Sequence, residues 1–232
     1  MINAKESYAL LAPGYDRMTS NNNYEMWLGE ILLPELDKHG LRKGRALDVG
    51  CGTGRAFEPL LSRGWDLTGC DLSPEMIEQA QRKFGDTVPL SVLDARELPL
   101  LGAFDLVLSL NDTLNYLIEA GDLERALVGM RTNLGPGGLL LFDVNTLGWF
   151  RGASDPNASP GGTYETVLMA EGVEPHPHRQ RHFTVPQLRD AMATAELEAL
   201  AVLGQREVDG GVILSEQADQ ERDDKIVCIA AK

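Results

Sequence analysis

Hydrophobic and polar positions follow two different periods along the first 144 residues of the chain. Short apolar runs of strand length are separated by segments in which apolar side chains recur at helical spacing. Strands are predicted over residues 45–50, 65–70, 88–93, 104–110 and 139–144, and helices over residues 56–62, 73–84 and 122–133. Repeated strand–helix units of this kind predict a parallel, doubly wound sheet.

The regular alternation stops after residue 144. Residues 145–180 are rich in Gly, Pro, Ser, Asn and His, and within them only residues 163–170 have the pattern of a strand. Periodicity then returns, with a helix predicted over 185–195, strands over 198–203 and 226–230, and a polar hairpin loop over 205–224. The predicted fold is α/β: one doubly wound, Rossmann-like, seven-stranded and mostly parallel sheet whose last strand is antiparallel.

Composition and charge narrow the class of function. The chain has 232 residues, of which 43% are hydrophobic and 24% are charged, as in ordinary globular domains. The formal net charge of -14 argues against non-specific nucleic-acid binding, which needs a basic surface, but leaves open an RNA held at a local patch. The apolar runs are too short to cross a bilayer, and residues 1–7 form no apolar signal core. We therefore expect a cytoplasmic protein that binds no membrane.

The three cysteines fit the same expectation. Cys51, Cys70 and Cys228 include no CxxC pair, so a disulfide framework or zinc site is not predicted. We expect reduced thiols that act as small hydrophobic side chains.

A glycine-rich turn follows the first predicted strand. Gly50, Gly52 and Gly54 stand at alternate positions in the segment ALDVGCGTG, residues 46–54. Glycines here remove the Cβ atoms that would hold a ligand away from the backbone. Backbone N–H groups and a helix N-terminus then face the ligand, which predicts a nucleotide-like molecule.

Acidic residues end the next two predicted strands. Asp71 and Asp94 each follow an apolar run directly, at the edge where such sheets bind ligands. A carboxylate at this place can accept hydrogen bonds from two ribose hydroxyls. The G-x-G-x-G spacing of the turn differs from the G-x-G-x-x-G of dinucleotide-binding turns, which disfavours NAD as the ligand.

These segments resemble the class I S-adenosylmethionine-dependent methyltransferases. The resemblance covers most of residues 44–146, fits the rest of the chain more loosely, and extends to a subgroup of small bacterial methyltransferases. The segments that carry it are ALDVGCGTG (46–54), GCDLSPEMI around Asp71, VLDARELPL around Asp94, FDLVLSLNDTLNYL (104–117) and LGPGGLLLFDVNT (134–146).

The resemblance implies a cofactor site for S-adenosylmethionine, with S-adenosylhomocysteine as product. The implied cofactor-binding residues are Tyr15, Tyr24, Trp27, Asp48, Gly50, Cys51, Gly52, Thr53, Asp71, Leu72, Met76, Asp94, Ala95, Ser109, Leu110 and Asn111. In this interpretation Asp71 binds the ribose and Asp94 the adenine amine. The aromatic residues Tyr15, Tyr24 and Trp27 belong to an N-terminal lid. Structural interpretations stay open for Asp48, as a brace of the glycine turn, and for Tyr24, Trp27 and Met76, as core residues.

The resemblance also divides the single domain, residues 1–232, into four parts. Residues 1–40 form a helical lid, and residues 44–146 form the cofactor-binding core. Residues 147–182 form a short excursion on the acceptor side, and residues 183–232 supply a C-terminal helix and strands.

The acceptor side is less clear in the sequence. The acceptor is expected to be a small molecule with a nitrogen or oxygen nucleophile, and the catalytic residues are unknown. The candidates are Asp112, Tyr116, His178 and His182. The spacing H-x-H-x-x-x-H formed with His176 lacks a well-spaced acid or cysteine ligand, so no metal is predicted.

Other classes of function stay open. A non-catalytic S-adenosylmethionine-binding protein, acting as a partner or regulatory subunit, would carry the same motifs. An NAD-dependent oxidoreductase is disfavoured by the glycine spacing. A monomer or a homodimer is expected.

Overall fold

Ten strands form two sheets in the computed structural model, which describes residues 4–20, 22–168, 176–209 and 211–232. The strands are β1 (Arg45–Val49), β2 (Asp66–Asp71), β3 (Leu90–Val92), β4 (Phe104–Ser109), β5 (Leu134–Asn145), β6 (Thr163–Leu168), β7 (His176–Arg181), β8 (Glu198–Val208), β9 (Gly211–Ser215) and β10 (Lys225–Ala231). The main sheet has the order β3-β2-β1-β4-β5-β10-β8-β9, and β6 pairs with β7 in a separate hairpin.

The first five strands are parallel. The chain adds β2 and β3 on one side of β1 and then returns to add β4 and β5 on the other side, so the order of the strands reverses between β1 and β4. Strand β10 lies antiparallel between β5 and β8. This is the predicted doubly wound arrangement with an antiparallel C-terminal strand. The reversal point matters for function, because ligands of such sheets bind beyond the carboxyl ends of the strands at that point.

The main sheet has eight strands rather than the predicted seven. The additional strand, β9, lies inside the segment 205–224 and pairs with an extended β8, from Gly204 opposite Ser215 to Val208 opposite Gly211. Its apolar residues Val212, Ile213 and Leu214 form a run of only three within a polar segment, shorter than the four to eight residues by which a strand is recognised.

The predicted turn over 135–138 is a local irregularity inside β5. Phe104 pairs with Leu134, whereas Leu106 pairs with Leu139, so four residues of β5 bulge out opposite a single residue of β4. Gly137 has a φ of 73°, which explains why glycine occupies this bulge.

Helices cover both faces of the main sheet. They are α1 (Ala4–Leu11), α2 (Tyr15–Met18), a π-helical segment (Glu25–Leu32) that continues into α3 (Leu33–Lys38), α4 (Phe57–Leu61), α5 (Pro74–Phe84), α6 (Asp122–Thr132), α7 (Leu147–Ala153) and α8 (Val185–Thr194). The predicted helical character of residues 1–40 is confirmed over the residues described there. Helix α7 and strand β7 lie in the excursion 147–182, where only one strand was predicted; residues 169 and 170 of that strand lie outside the described residues.

Two apolar cores lie on the opposite faces of the sheet. One packs Leu127 of α6 and Leu188 of α8 against β5 and β10. The other packs Leu28, Leu32 and Phe57 from the segment before β1 and from α4 against the inner strands. Because both faces are covered, β1 and β4 are apolar along most of their length.

The candidate site at the strand ends

A cavity of about 560 Å³ lies beyond the carboxyl ends of β1, β2 and β4, a size typical of small-molecule sites. Its walls include Ala4, Lys5, Tyr8, Tyr15, Tyr24, Val49, Gly50, Cys51, Gly52, Thr53, Arg55, Asp71, Leu72, Ser73, Leu93, Asp94, Ala95, Arg96, Leu110, Asn111, Thr113, Leu114, Tyr116, Leu117, Ile118, Glu119 and Arg179. The cavity therefore joins the predicted glycine turn, the two predicted acids and part of the predicted lid.

The glycine turn needs glycine at each of its three positions. Gly50, Gly52 and Gly54 have φ values of 79°, 54° and 78°, in the left-handed region. A Cβ on Gly50 would lie 2.3 Å from Thr113, and one on Gly54 would lie 2.6 Å from Phe57. A Cβ on Gly52 would meet nothing within 4 Å, because it would project into the open cavity. Gly52 is thus the place where a ligand can lie directly against the backbone.

Asp71 holds the glycine turn in position. Its carboxylate accepts hydrogen bonds from the backbone N–H groups of Gly52, at 2.8 Å, and Ser73, at 2.9 Å. Burial raises the pKa of Asp71, and these backbone hydrogen bonds offset part of that effect. Each carboxylate oxygen keeps a further lone pair, so Asp71 can still accept hydroxyl donors from a ligand.

Asp94 has a cationic partner that the motif did not indicate. Arg96 donates from its guanidinium to both carboxylate oxygens, at 2.9 Å and 2.5 Å. These hydrogen bonds lower the pKa of Asp94, so the carboxylate is ionised at neutral pH. A ligand that used Asp94 would share it with Arg96, which also lines the cavity.

The N-terminal lid is bound to the glycine turn by polar contacts. The Thr53 hydroxyl donates to Asp16 of α2 at 2.5 Å, and Lys83 donates to the other oxygen of Asp16 at 2.8 Å. Arg55 donates to the backbone carbonyls of Thr19 and Asn22. Its guanidinium also lies 5.1 Å from the centre of the Tyr24 ring. These contacts fix the lid over the cavity.

An aromatic cluster forms one wall of the cavity. The Tyr8 hydroxyl donates to the Tyr116 hydroxyl at 3.0 Å, and the Tyr8 ring centre lies 6.0 Å from that of Tyr15. His178 on β7 packs edge-on against the rings of Tyr8 and Tyr116. Burial raises the pKa of both Tyr8 and Tyr116 well above the usual value, so these phenols stay protonated and act as hydrogen-bond donors near neutral pH.

A strained turn follows β4. Asn111 and Asp112 have φ values of 62° and 60°, which are unfavourable for residues with a side chain. The buried carboxylate of Asp143 on β5 accepts hydrogen bonds from the backbone N–H groups of both residues, at 2.8 Å and 2.7 Å. Lys225 on β10 donates to Asp143 at 3.1 Å. The turn is therefore held by a buried ion pair from two neighbouring strands.

The side chain of Asp112 belongs to the same network. It accepts a hydrogen bond from Gln180 of β7 and lies 3.9 Å from the Lys225 ammonium. Burial raises the pKa of Asp112 to about 6, an effect that Lys225 opposes. Burial lowers the pKa of Lys225, but the neighbouring carboxylates Asp143 and Asp112 raise it more, so the lysine stays charged.

Four residues expected in the cofactor site lie outside the cavity walls. Trp27 donates from its indole N–H to Gln205 at 2.6 Å and packs edge-on against Tyr24, so it supports a lining residue. Met76 lies under the lid tyrosines with Leu11. Ser109 is buried and donates to the Val49 carbonyl at 2.9 Å.

Asp48 is the fourth residue outside the cavity walls. It is buried at the end of β1, where burial first and the charge of Asp71 second raise its pKa to about 8. The backbone N–H of Gly52 donates to Asp71 instead, so the bracing role that the sequence left open for Asp48 belongs to Asp71.

The catalytic candidates separate into two groups. Tyr116 lines the cavity, His178 packs against it, and Asp112 accepts a hydrogen bond from Gln180 on the same strand as His178. His182 lies elsewhere: it accepts a hydrogen bond from the Gly161 backbone N–H, and its other ring nitrogen is 2.8 Å from Gln220. His182 therefore joins the hairpin β6–β7 to a later loop.

Sequence reasoning missed several lining residues. Tyr8 lies two helical turns before Tyr15 in the lid, and this spacing could have indicated it. Arg179 and Lys5 had no such signal, because only the packing of α1 against β7 brings them to the cavity. Within the described ranges, no three His, Cys, Asp or Glu side chains are grouped so that they could hold a metal ion. Of the helices described, none is long and apolar enough to span a bilayer.

Comparison with known proteins identifies the core of this fold. Residues 46–138 match the family described as a methyltransferase domain. This part of the chain belongs to the class I S-adenosylmethionine-dependent methyltransferases. The match covers β1 to the bulge of β5, the elements that form the glycine turn and the two acidic strand ends, and S-adenosylmethionine is the cofactor of this family.

Individual relatives are similar over larger parts of the chain. The putative methyltransferase YqeM of Bacillus subtilis is 38% identical over 144 residues, which are 60% of this chain and 56% of that protein. The malonyl-[acyl-carrier protein] O-methyltransferase of Geobacter sulfurreducens is 31% identical over 185 residues, which are 78% of this chain and 65% of that protein. The chain thus spans less than two thirds of the length of these relatives.

The fold is also that of a solved methyltransferase. A S-adenosylmethionine-dependent methyltransferase from Clostridium acetobutylicum superimposes with a TM-score of 0.71 and 20% identity, covering 97% of this chain and 98% of that one. This likeness confirms the predicted fold class.

Proposed function

We propose that the protein is a methyltransferase that binds S-adenosylmethionine in this cavity and transfers its methyl group to a small-molecule acceptor through a nitrogen or oxygen nucleophile. The observation that carries the proposal is the open face of Gly52. At this position a Cβ would enter the cavity, and the carboxylate of Asp71 accepts the backbone N–H of the same residue. Such a cradle suits a nucleoside whose ribose hydroxyls reach Asp71.

The cofactor-binding residues proposed from the sequence fit this arrangement in most positions. Gly50 and Gly52 would lie under the methionine part, and Leu110 and Asn111 under the sulfonium. Asp94 would accept the adenine amine while it keeps its pair with Arg96. The four proposed residues outside the cavity walls, Asp48, Trp27, Met76 and Ser109, would act by supporting lining residues rather than by touching the cofactor.

The residues around the proposed acceptor would orient it rather than act as an acid or a base. S-adenosylmethionine, when bound, supplies an activated methyl group on a sulfonium. The Tyr8 hydroxyl donates to Tyr116, so it is the protonated Tyr116 phenol that can donate a hydrogen bond to orient an acceptor. Asp112 is engaged by Gln180 behind the turn, so we expect an acceptor that needs little help in losing a proton. Positioning accounts for much of the rate in such a displacement.

The proposal that the acceptor is small rests on the size and closure of the cavity. A cavity of about 560 Å³ has room for a nucleoside cofactor and a compact acceptor beneath the lid. The expected cytoplasmic location and the expected monomer or homodimer stay predictions.

Calorimetric titration with S-adenosylmethionine, S-adenosylhomocysteine and NAD tests the cofactor. We expect the first two to bind and NAD not to bind; NAD binding without a response to S-adenosylhomocysteine would contradict the proposal. A screen of amine, hydroxyl and carboxylate acceptors for release of S-adenosylhomocysteine then tests turnover. Cofactor binding without turnover on any acceptor would favour a non-catalytic binding protein.

A further inference from the structure

Arg96 holds the carboxylate of Asp94 through both its side chain and its backbone. The guanidinium donates from Nε to Oδ1 at 2.9 Å and from Nη2 to Oδ2 at 2.5 Å. The backbone N–H of Arg96 donates to Oδ1 at 2.9 Å, which makes Asp94 the N-cap of a short helical turn, Ala95–Glu97. One residue therefore fixes both the position and the rotation of the acid that follows β3.

These contacts leave Asp94 one place for a donor from a ligand. Each carboxylate oxygen accepts about two hydrogen bonds. Both places on Oδ1 are taken, one by the backbone N–H and one by Nε of Arg96. Oδ2 accepts from Nη2, and Nε is a longer contact at 3.1 Å, so Oδ2 can accept one further N–H. The same contacts hold the pKa of Asp94 below its usual value, so the group accepts hydrogen bonds and has no proton to donate.

The start of α6 holds Arg96 from the other side. Nη1 of Arg96 lies 3.6 Å from the carboxylate of Asp122, a side chain that is only 2% exposed. Arg125, one turn further along α6, donates to the other oxygen of Asp122. If Arg96 turned away, Asp94 would lose its cation and the buried Asp122 would lose one of two, which is unfavourable. The orientation of Asp94 is therefore set by a network of alternating charges.

This state of Asp94 suits a 6-amino purine and opposes a 6-oxo purine. The amine of adenine is a donor, and it matches a fixed carboxylate with one free acceptor place. Hypoxanthine carries an oxygen at that position, so two acceptors would face each other without a proton between them, and the hydrogen bond would be lost. A carboxylate that could turn away, or take up a proton, would discriminate less between the two bases.

We propose that Arg96 is a positioning residue that makes the cavity select the adenine base of the cofactor over a base with an oxygen in place of the amine. The inference rests on the cofactor site proposed above and adds to it a residue that the sequence motif does not indicate. Arg96 acts through Asp94, which it keeps oriented and charged before the ligand arrives. Such preorganisation strengthens binding, because little side-chain freedom is lost when the ligand binds.

Calorimetric titration with S-adenosylhomocysteine and S-inosylhomocysteine tests the proposal. The two ligands differ only in the base, where an oxygen replaces the amine. We expect the wild type to bind S-adenosylhomocysteine at least about tenfold more tightly, the scale of one hydrogen bond to a charged group. In Arg96→Gln this ratio of affinities should fall at least about threefold, because Asp94 becomes mobile. Arg96→Lys keeps the charge without the two parallel donors, so its ratio should lie between the two.

Arg131→Gln is the matched control. Arg131 of α6 pairs with Glu196 at 2.8 Å and is 31% exposed, against 39% for Arg96, but it lies outside the cavity walls. Its ratio of affinities should stay within about twofold of the wild type. A general loss of stability would weaken both ligands together and leave the ratio unchanged. Melting temperatures check the fold of each variant, and Arg96→Lys carries the test if Arg96→Gln does not fold.

Three results would overturn the proposal. The first is equal affinity of the wild type for the two ligands, which would mean that the base meets the N–H donors of Arg96 rather than Asp94. The second is the same ratio in the wild type and the Arg96 variants. The third is tighter binding of S-adenosylhomocysteine to Arg96→Gln, which would show that Arg96 competes with the base for Asp94. In each case S-adenosylhomocysteine still binds, so the cofactor assignment stands and only the role of Arg96 is wrong. A wild type that binds neither ligand would instead contradict the proposed function itself.

Discussion

Replacing Gly52 by alanine separates the backbone requirement of the glycine turn from its role in ligand binding. The residue has a φ of 54°, and an alanine there costs about 1–2 kcal/mol relative to glycine. Its Cβ would meet no protein atom within 4 Å, so no further loss of stability is expected. For a chain of this size, such a loss lowers the melting temperature by roughly 2–8 °C.

Gly52→Ala should also weaken the affinity for the cofactor, an effect separate from the loss of stability. The added methyl group would occupy cavity space next to the Asp71 carboxylate, where we propose that the cofactor lies against the backbone. Overpacking of a close contact costs about 1–3 kcal/mol, which corresponds to roughly a 5- to 150-fold weaker affinity for S-adenosylhomocysteine. Isothermal calorimetry on the folded variant measures this affinity directly.

Gly40→Ala is the matched control for this variant. Gly40 follows α3 with a φ of 84° and likewise has nothing within 4 Å of an added Cβ, but it lies outside the cavity walls. We expect a similar decrease in melting temperature and an unchanged affinity for S-adenosylhomocysteine. Equal affinities in Gly52→Ala and Gly40→Ala would refute the proposal that the cofactor contacts this turn.

Three further predictions follow from the same site. Asp71→Ala should weaken S-adenosylhomocysteine by about 1.5–3 kcal/mol in calorimetry, because charge-assisted hydrogen bonds are lost; an unchanged affinity would remove Asp71 from the site. Lys225→Met leaves the Asp143 carboxylate buried without its cation, so urea unfolding should report a loss of about 3–5 kcal/mol, whereas Arg82→Met on the surface should lose less than about 1 kcal/mol. Asp112 has a pKa of about 6 in the fold against 3.8 in the unfolded chain, so the folded protein binds this proton more tightly. Its contribution to stability therefore falls by about 3 kcal/mol as pH rises from about 4 to about 6, and Asp112→Asn should lack that fall; parallel pH profiles would contradict it.

The glycine turn and the acidic strand ends of the cavity could be predicted from sequence because their signals are local. A glycine turn, a strand end and an acid are all encoded within a few residues of one another. In the structure Gly50, Gly52, Asp71 and Asp94 all line one cavity. The parallel order of the strands then brings these local signals to the same edge of the sheet.

Other positions depended on contacts that the local pattern does not contain. Trp27 has the residue type and helical setting of a lid aromatic, but Gln205, a residue 178 positions away, directs its indole away from the cavity. Asp48 and Asp71 are both acids beside the turn, and only the packing decides that Gly52 donates to Asp71. Strand β9 was missed because its apolar run, Val212 to Leu214, is short and lies within a polar segment.

The sequence by itself determined the order of strands and helices, the glycine turn and the acidic strand ends, since each depends on neighbouring residues and on periodic burial. Only the tertiary structure decided the cavity wall that the N-terminal lid and the hairpin form. There α1, the turn after β4 and the hairpin strand β7 meet, and they bring together Lys5, Tyr116 and Arg179. These residues lie more than 60 positions apart along the chain, so no local pattern joins them. Helix and hairpin packing over the sheet edge brings all three into the walls of one cavity.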